Sequence, residues 1–213
     1  VGLLNGATKH DLPSVIDRIN SLSSMIRKGG GKVVWIRHCG KVNDGFERGT
    51  PGWEFLPELG RHDDDLVVEK TLNDPYVGTP LAELLARMRP RRVLVAGWAT
   101  DFCVDATVRS TVSHDHHVVA VSDAHTLSDR PHLPAKAIIA HHNWLWSDLL
   151  TNRTCHRSLD KRAPRRVARL QVLQDGRCGS ETLAGNHAEE DLIRILSSSR
   201  PVTPASAHAH LSL

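Results

Sequence analysis

Apolar residues along this chain fall into two kinds of run that take turns. Between residues 11 and 28, Val15, Ile16, Ile19, Leu22 and Ile26 recur every three or four positions, and Gly29, Gly30 and Gly31 come after them. That is a helical period with a stop. Next comes Val33-Val34-Trp35-Ile36. It is apolar without alternation, the mark of a strand covered on both faces in a parallel sheet. Residues 39–67 are rich in glycine and predict loops. Leu66-Val67-Val68-Glu69-Lys70 has strand character. A second helix is predicted from Thr79-Pro80, a cap and a first-turn proline, with Leu81, Leu84, Leu85 and Met88 as its stripe and Pro90 as its end. Val93 to Ala96 predicts a buried strand, and Val104, Val108 and Val112 predict a helix starting at about Cys103. Val118 to Val121 predicts another strand, and 133–150 another helix.

Strands alternating with helices imply βαβ units and a doubly wound parallel sheet in a three-layer α/β/α arrangement. Active sites of such folds lie beyond the C-terminal ends of the strands. Those ends here deliver His38-Cys39, then Gly97 to Cys103, then Ser122-Asp123. No GxGxxG or P-loop motif comes after any strand, so neither dinucleotide nor P-loop nucleotide chemistry is supported.

Composition narrows the function classes. The 213 residues are 40% hydrophobic and 24% charged, with a formal net charge of +3, which suits one globular domain and demands neither nucleic acid nor a membrane surface. Much of the basic excess sits in KRAPRR at 161–166 and reads as a solvated tail. Residues 160–213, crowded with Ser, Pro, Ala, His and basic side chains, are expected to form a poorly ordered extension to a domain spanning 1–159. Within it, 189–196 is short, amphipathic and compatible with a helix. The four cysteines, Cys39, Cys103, Cys155 and Cys178, lie far apart, which argues against a disulfide framework and for a reducing, cytoplasmic setting.

The candidate chemistry centres on GWATDFCVDATVR at 97–109. A cysteine where a strand hands over to a helix meets backbone N–H groups and a helix dipole that favour a thiolate and an oxyanion. The alternative is a small buried core cysteine. Lys70, closing an apolar strand, is the candidate cation beside it, and a solvated surface lysine is the alternative. Histidines are plentiful, among them His114, His116, His117, His141, His142, His208 and His210. Without cysteine partners at ligand spacing they do not make a zinc site.

Three segments together resemble the isochorismatase-like cysteine hydrolase superfamily, in its amidase-like branch: VVEKTLNDPYVGTPLAELL, VLVAGWATDFCVDATVR and AIIAHHNWLWSDL. The first carries Lys70, Tyr76, Gly78 and Thr79, and the second Cys103. The resemblance spans roughly residues 1–153. It implies that Cys103 attacks an amide or carbamoyl carbonyl, that Lys70 holds the thiolate, and that a thioester forms and is hydrolysed. It also implies a cis peptide between Trp98 and Ala99, with the Ala99 and Cys103 N–H groups as the oxyanion hole. Trp98, Tyr76 and Trp53 become candidates for the substrate pocket, with core packing as their alternative. A small amide as substrate, a homo-oligomer, and no cofactor, nucleic acid or membrane partner complete the expectation. His38 and Asp44 do not reproduce the spacing of the nicotinamidase metal site, so no metal is expected.

One departure stands out. The general-base aspartate of the superfamily ends a first central strand, and Val1 to Leu4 resembles the segment that leads from that strand into the first helix. The sheet is therefore expected to lack its first central strand, and the sequence as given to be inactive. Two explanations compete: a piece of a longer enzyme, or a pseudoenzyme that acts as an interaction protein. Loss of a central strand would leave unpaired backbone, which favours the first. Isochorismate-type vinyl-ether hydrolysis is the remaining alternative, and Cys103 weakens it.

Overall fold

Parallel strands with long apolar runs need cover on both faces, and the helices supply it. The structure, a computed structural model, describes residues 8–150 together with the backbone of strands at 173–174, 177–178 and 192–198. Helix α1 (Leu12–Lys28) leads into strand β1 (Lys32–His38), and a long loop leads to β2 (Leu66–Lys70). Helix α2 (Leu81–Met88), strand β3 (Arg92–Trp98), a π-helical turn (Thr100–Val104) and helix α3 (Asp105–Ser113) come after it. Strand β4 (Val118–Thr126) and helix α4 (Ala135–Ser147) come next. Two short strands, β5 (Leu173–Gln174) and β6 (Arg177–Cys178), pair antiparallel, and β7 (Leu192–Ser198) joins the main sheet.

That sheet is wholly parallel, in the order β2-β1-β7-β3-β4. Alternation along its strands divides the core in two. Val33, Trp35, Leu94, Ala96, Val119 and Val121 pack against Val15, Ile16, Ile19, Leu22 and Ile26 of α1. Val34, Ile36, Val68, Val93, Val95, Val118 and Ala120 face the other way, against Leu81 and Leu85 of α2, Val108 of α3 and Trp146 of α4. Three layers result.

Among the described residues no strand precedes α1, as expected, but the gap expected in the sheet is filled and one further expectation is corrected. The central position of the sheet is occupied, by β7, whose residues Leu192 to Ser197 sit in register with β3 while Ile193 to Ser198 pair with β1. The segment expected to be helical at 189–196 therefore contributes a strand, and part of the presumed extension belongs to the sheet. Without it, β1 and β3 would each present a row of unpaired N–H and C=O groups in the middle of the molecule, a cost that any apolar segment able to extend will relieve. The expected boundary at 159/160 lies outside the described residues.

Local rules account for the element ends. Gly29 and Gly31 close α1 by donating to the Met25 and Ile26 carbonyls, with Gly30 at φ 76°. Asp11 occupies the cap position of α1, yet its carboxylate accepts from the Ser14 hydroxyl and Arg18 rather than from helix backbone. At α2 the Thr79 hydroxyl accepts from the Leu81 N–H at 3.2 Å, so the threonine does the capping and Pro80 precedes the first turn.

At the end of the sheet away from Cys103, Asp65 joins three elements. Its carboxylate accepts from Arg27 of α1 (2.5 and 2.9 Å), the Trp35 indole of β1 (2.7 Å) and the His62 N–H (2.9 Å). Burial pushes this carboxyl up, but the Arg27, Trp35 and His62 hydrogen bonds outweigh it and hold the group below its ordinary range. Asp65→Ala leaves the indole without its acceptor and Arg27 without its anion, with only the Gly60 carbonyl left to accept from the guanidinium. It is expected to cost about 3 kcal/mol, read as a lower urea midpoint at unchanged m-value.

Candidate active site

The site is assembled where β2 and β3 end. Lys70 is the last residue of β2 and only 2% exposed. Its ammonium group donates to the Leu72 carbonyl at 2.8 Å and to Cys103 Sγ at 3.1 Å. Among the described residues no carboxylate pairs with it. A buried ammonium without an anion is costly, and the sulfur is the group beside it that can become one.

Cys103 is half-buried and free. The helical period suggested a helix beginning at this residue. The structure instead places it in the π-helical turn just before α3. The Ala99 carbonyl accepts from both Phe102 N (3.1 Å) and Val104 N (3.0 Å), and the wider turn carries the sulfur out beyond the end of β3. The peptide between Trp98 and Ala99 is cis. On its far side the thiol lies 3.6 Å from Asn73 Oδ1, its acceptor in the loop after β2. Asn73 went unnoticed in the sequence, because a polar residue in an Asn-Asp-Pro loop reads as turn chemistry.

The other expected site residues sort differently. Ala99 is buried beside the turn, against Leu127, Ala135 and Ile138. Trp98, one residue earlier, lies under the Lys9 ammonium, 4.8 Å from the ring centroid. It lines a small apolar cavity with Leu12, Ile16, Leu56 and Leu59 on the α1 side of the sheet. Tyr76 and Trp53 are engaged elsewhere. The Tyr76 hydroxyl donates to Thr111 Oγ1 (3.0 Å), its ring stacks on His114, and burial pushes its phenol up, so it packs between α2 and α3 as core. Trp53 covers the Arg37 guanidinium at 3.5 Å, on the α1 face of β1.

His38 pairs in register with Lys70, and its Nδ1 is buried with no hydrogen-bond partner among the described residues. Burial and then the Lys70 charge hold it below its ordinary value, against the opposing pull of Asp44. The Asp44 carboxylate accepts from the Lys41 and Phe46 N–H groups and so closes its own loop. Among the described residues no three His, Cys, Asp or Glu side chains gather as metal ligands would, and no helix is long and apolar enough to cross a membrane.

An isochorismatase-domain family model matches residues 2–142. The chain belongs to the isochorismatase family. Its curated relatives include streptothricin hydrolase of Streptomyces noursei, 32% identical over 124 residues that make up 58% of this chain and 49% of the relative. Another is the ureidoacrylate amidohydrolase RutB of Klebsiella pneumoniae, 24% identical over 140 residues, covering 52% and 59%. The chain thus spans about half the length of the curated relatives it matches. Among solved structures, a crystal structure of an isochorismatase family protein superposes with a TM-score of 0.65 at 23% identity, over 72% of this chain and 88% of that one. That likeness shows the fold.

In this isochorismatase-family protein a polar chain also reaches the Cys103 turn from behind, through His125. The imidazole is 2% exposed, and burial holds it neutral, with its pKa pushed down to about 4 despite the Asn143 hydrogen bond. An unfolded histidine titrates near 6.5, so protons bind the unfolded chain preferentially between those values. Stability due to this group is complete above pH 6.5 and drains away as pH falls toward 4. His125→Gln is expected to make the fall in unfolding free energy between pH 6.5 and 4 shallower by roughly 3 kcal/mol, measured by urea denaturation across that range.

Proposed function

We propose that this protein is a cysteine hydrolase that cleaves the C–N bond of a small amide or carbamoyl compound through a thioester. The observation that carries the reading is the 3.1 Å contact between the buried Lys70 ammonium and Cys103 Sγ. At 4 Å and an effective dielectric near 20, opposite unit charges attract by about 4 kcal/mol before desolvation costs. An ammonium group so placed favours sulfur as the anion, which is the nucleophilic form. The family membership fits the same chemistry, as do relatives whose names specify streptothricin hydrolysis and ureidoacrylate amide hydrolysis.

In this mechanism Cys103 Sγ attacks the carbonyl carbon. The oxygen takes up negative charge and is met by the backbone N–H groups of Ala99 and Cys103, presented by the cis peptide and the wide turn. The C–N bond breaks, ammonia or an amine leaves with the proton released from the thiol, and water cleaves the thioester to free the acid and the sulfur. Lys70 holds charge at the sulfur throughout. Asn73 borders the carbonyl's approach. The two free thiols among the described residues, Cys39 and Cys103, suit a reducing, cytoplasmic compartment.

Ammonia release from a panel of small primary amides and carbamoyl compounds, measured on a chain that includes the superfamily's strand-end aspartate, tests the reading. Cys103→Ala is expected to lower turnover by at least about 1,000-fold. Lys70→Met keeps the volume and removes the charge. It is expected to slow both turnover and iodoacetamide alkylation of Cys103 at pH 7 by roughly 10- to 100-fold. Turnover that survives in Cys103→Ala would rule out covalent catalysis at this sulfur.

A further inference from the structure

Thr100, the first residue of the nucleophile turn, is fully buried. Its hydroxyl meets His125 Nδ1 at 2.9 Å. His125 Nε2 meets Asn143 Oδ1 at 3.0 Å, and Asn143 Nδ2 donates to the Ser122 carbonyl at 3.0 Å. The last contact fixes the polarity of the whole chain. A carbonyl can only accept, so the amide nitrogen of Asn143 points at Ser122 and its oxygen at the imidazole. Nε2 then carries the ring proton, Nδ1 is bare, and the Thr100 hydroxyl is the donor. One tautomer and one hydroxyl orientation satisfy every atom.

The surroundings hold this arrangement still. Trp146 of α4 packs edge-on against the imidazole at 5.0 Å, and its indole N–H donates to Asp105 Oδ1 at 2.8 Å. The Asp105 N–H in turn donates to the Thr100 and Phe102 carbonyls. Helix α4 therefore grips the turn twice, once through Asn143 and His125 and again, three residues further along, through Trp146. Among the described residues the sulfur's hydrogen-bond partners are Lys70 and Asn73, and not these side chains.

We propose that His125 is a positioning residue: with Asn143 and Thr100 it fixes the turn so that the Ala99 and Cys103 N–H groups meet the carbonyl oxygen as Cys103 attacks. This deepens the hydrolase reading and rests on it for its place in turnover. It separates two properties of the site. Reactivity of the sulfur comes from Lys70, on another strand. Alignment of the oxyanion donors comes from the His125 chain, and a misalignment of about 1 Å at such a site costs on the order of 100-fold in rate.

Two reagents on the whole protein read these properties apart without needing the natural substrate. p-Nitrophenyl acetate acylates the sulfur through a tetrahedral oxyanion: the C–S bond forms, the ester C–O bond breaks, p-nitrophenolate leaves, and the thiol proton passes to solvent. Iodoacetamide alkylates the same sulfur by displacing iodide at a saturated carbon, with no oxyanion. In His125→Leu, Asn143→Leu and Thr100→Val the acylation rate is expected to fall roughly 10- to 100-fold, while alkylation stays within about threefold of the parent. His125→Gln, whose amide can accept from Thr100 and donate to Asn143, is expected to recover acylation to within about fivefold. The His125→Leu, Thr100→Val double variant is expected to be no slower than either single one, as for residues acting through one chain. If His125→Leu does not fold, Asn143→Leu and Thr100→Val probe the same chain from its two ends. The proposal is overturned if acylation and alkylation fall together, if Gln recovers no more than Leu, or if the single losses multiply. Should a parent chain that includes the strand-end aspartate release no ammonia from any amide while its acylation still depends on His125, the amide reading fails and the positioning role stands.

Discussion

A lysine ammonium group buried against a cysteine sulfur is the constraint on which the rest of this molecule depends. Lys70 is 2% exposed and, among the described residues, is answered only by a backbone carbonyl and Cys103 Sγ. Such a cation is destabilising unless the geometry around it is closely matched. The fold supplies that geometry by bringing two strand ends together: β2 carries the cation, and β3 hands over to a turn that carries the sulfur. Parallel strands all open their C-terminal ends to the same edge, so groups far apart in the chain meet there without any long loop being recruited.

The turn at Thr100–Val104 is the point where packing meets the proposed chemistry. An ordinary α-helical start would satisfy the Ala99 carbonyl with one donor; here it takes two, and the turn is wider. That shape is held from below by the apolar contacts of Ala99 with Leu127, Ala135 and Ile138, and from behind by α4. At its front, Asp101 accepts two hydrogen bonds from Arg130, at 2.7 and 2.8 Å, tying the turn to the loop before α4. Burial and shape are coupled here, because the groups that bury the turn also fix its conformation.

Much of this was legible in the sequence, for local reasons. The β/α alternation comes from unalternating apolar runs and one-sided helical stripes, whereas Lys70 and Cys103 were paired only through the resemblance of their segments to the isochorismatase-like superfamily, since spacing alone reads Lys70 as a surface lysine. What was illegible depended on contacts between distant residues. The period of Val104, Val108 and Val112 is real, but it cannot tell an α-helical start from the wider turn that precedes it. Whether Tyr76 and Trp53 face a pocket or the core stayed open in the sequence, which is blind to Thr111 and Arg37, their partners in the fold. The His125 chain joins residues 25 and 18 positions apart, and each link alone reads as an ordinary buried polar group. The strand at Leu192–Ser198 was missed because its own pattern is weak and its pairing, with β1 and β3, is long-range.

Asp65 lies immediately before β2, and the strand runs for only five residues from there to Lys70. In a strand, a slip of one residue sends every side chain to the opposite face. The knot of Arg27, Trp35 and His62 on the Asp65 carboxylate pins where the strand starts counting. A salt link at the far end of the sheet thereby decides that the fifth side chain emerges on the sulfur's side and not under helix α1.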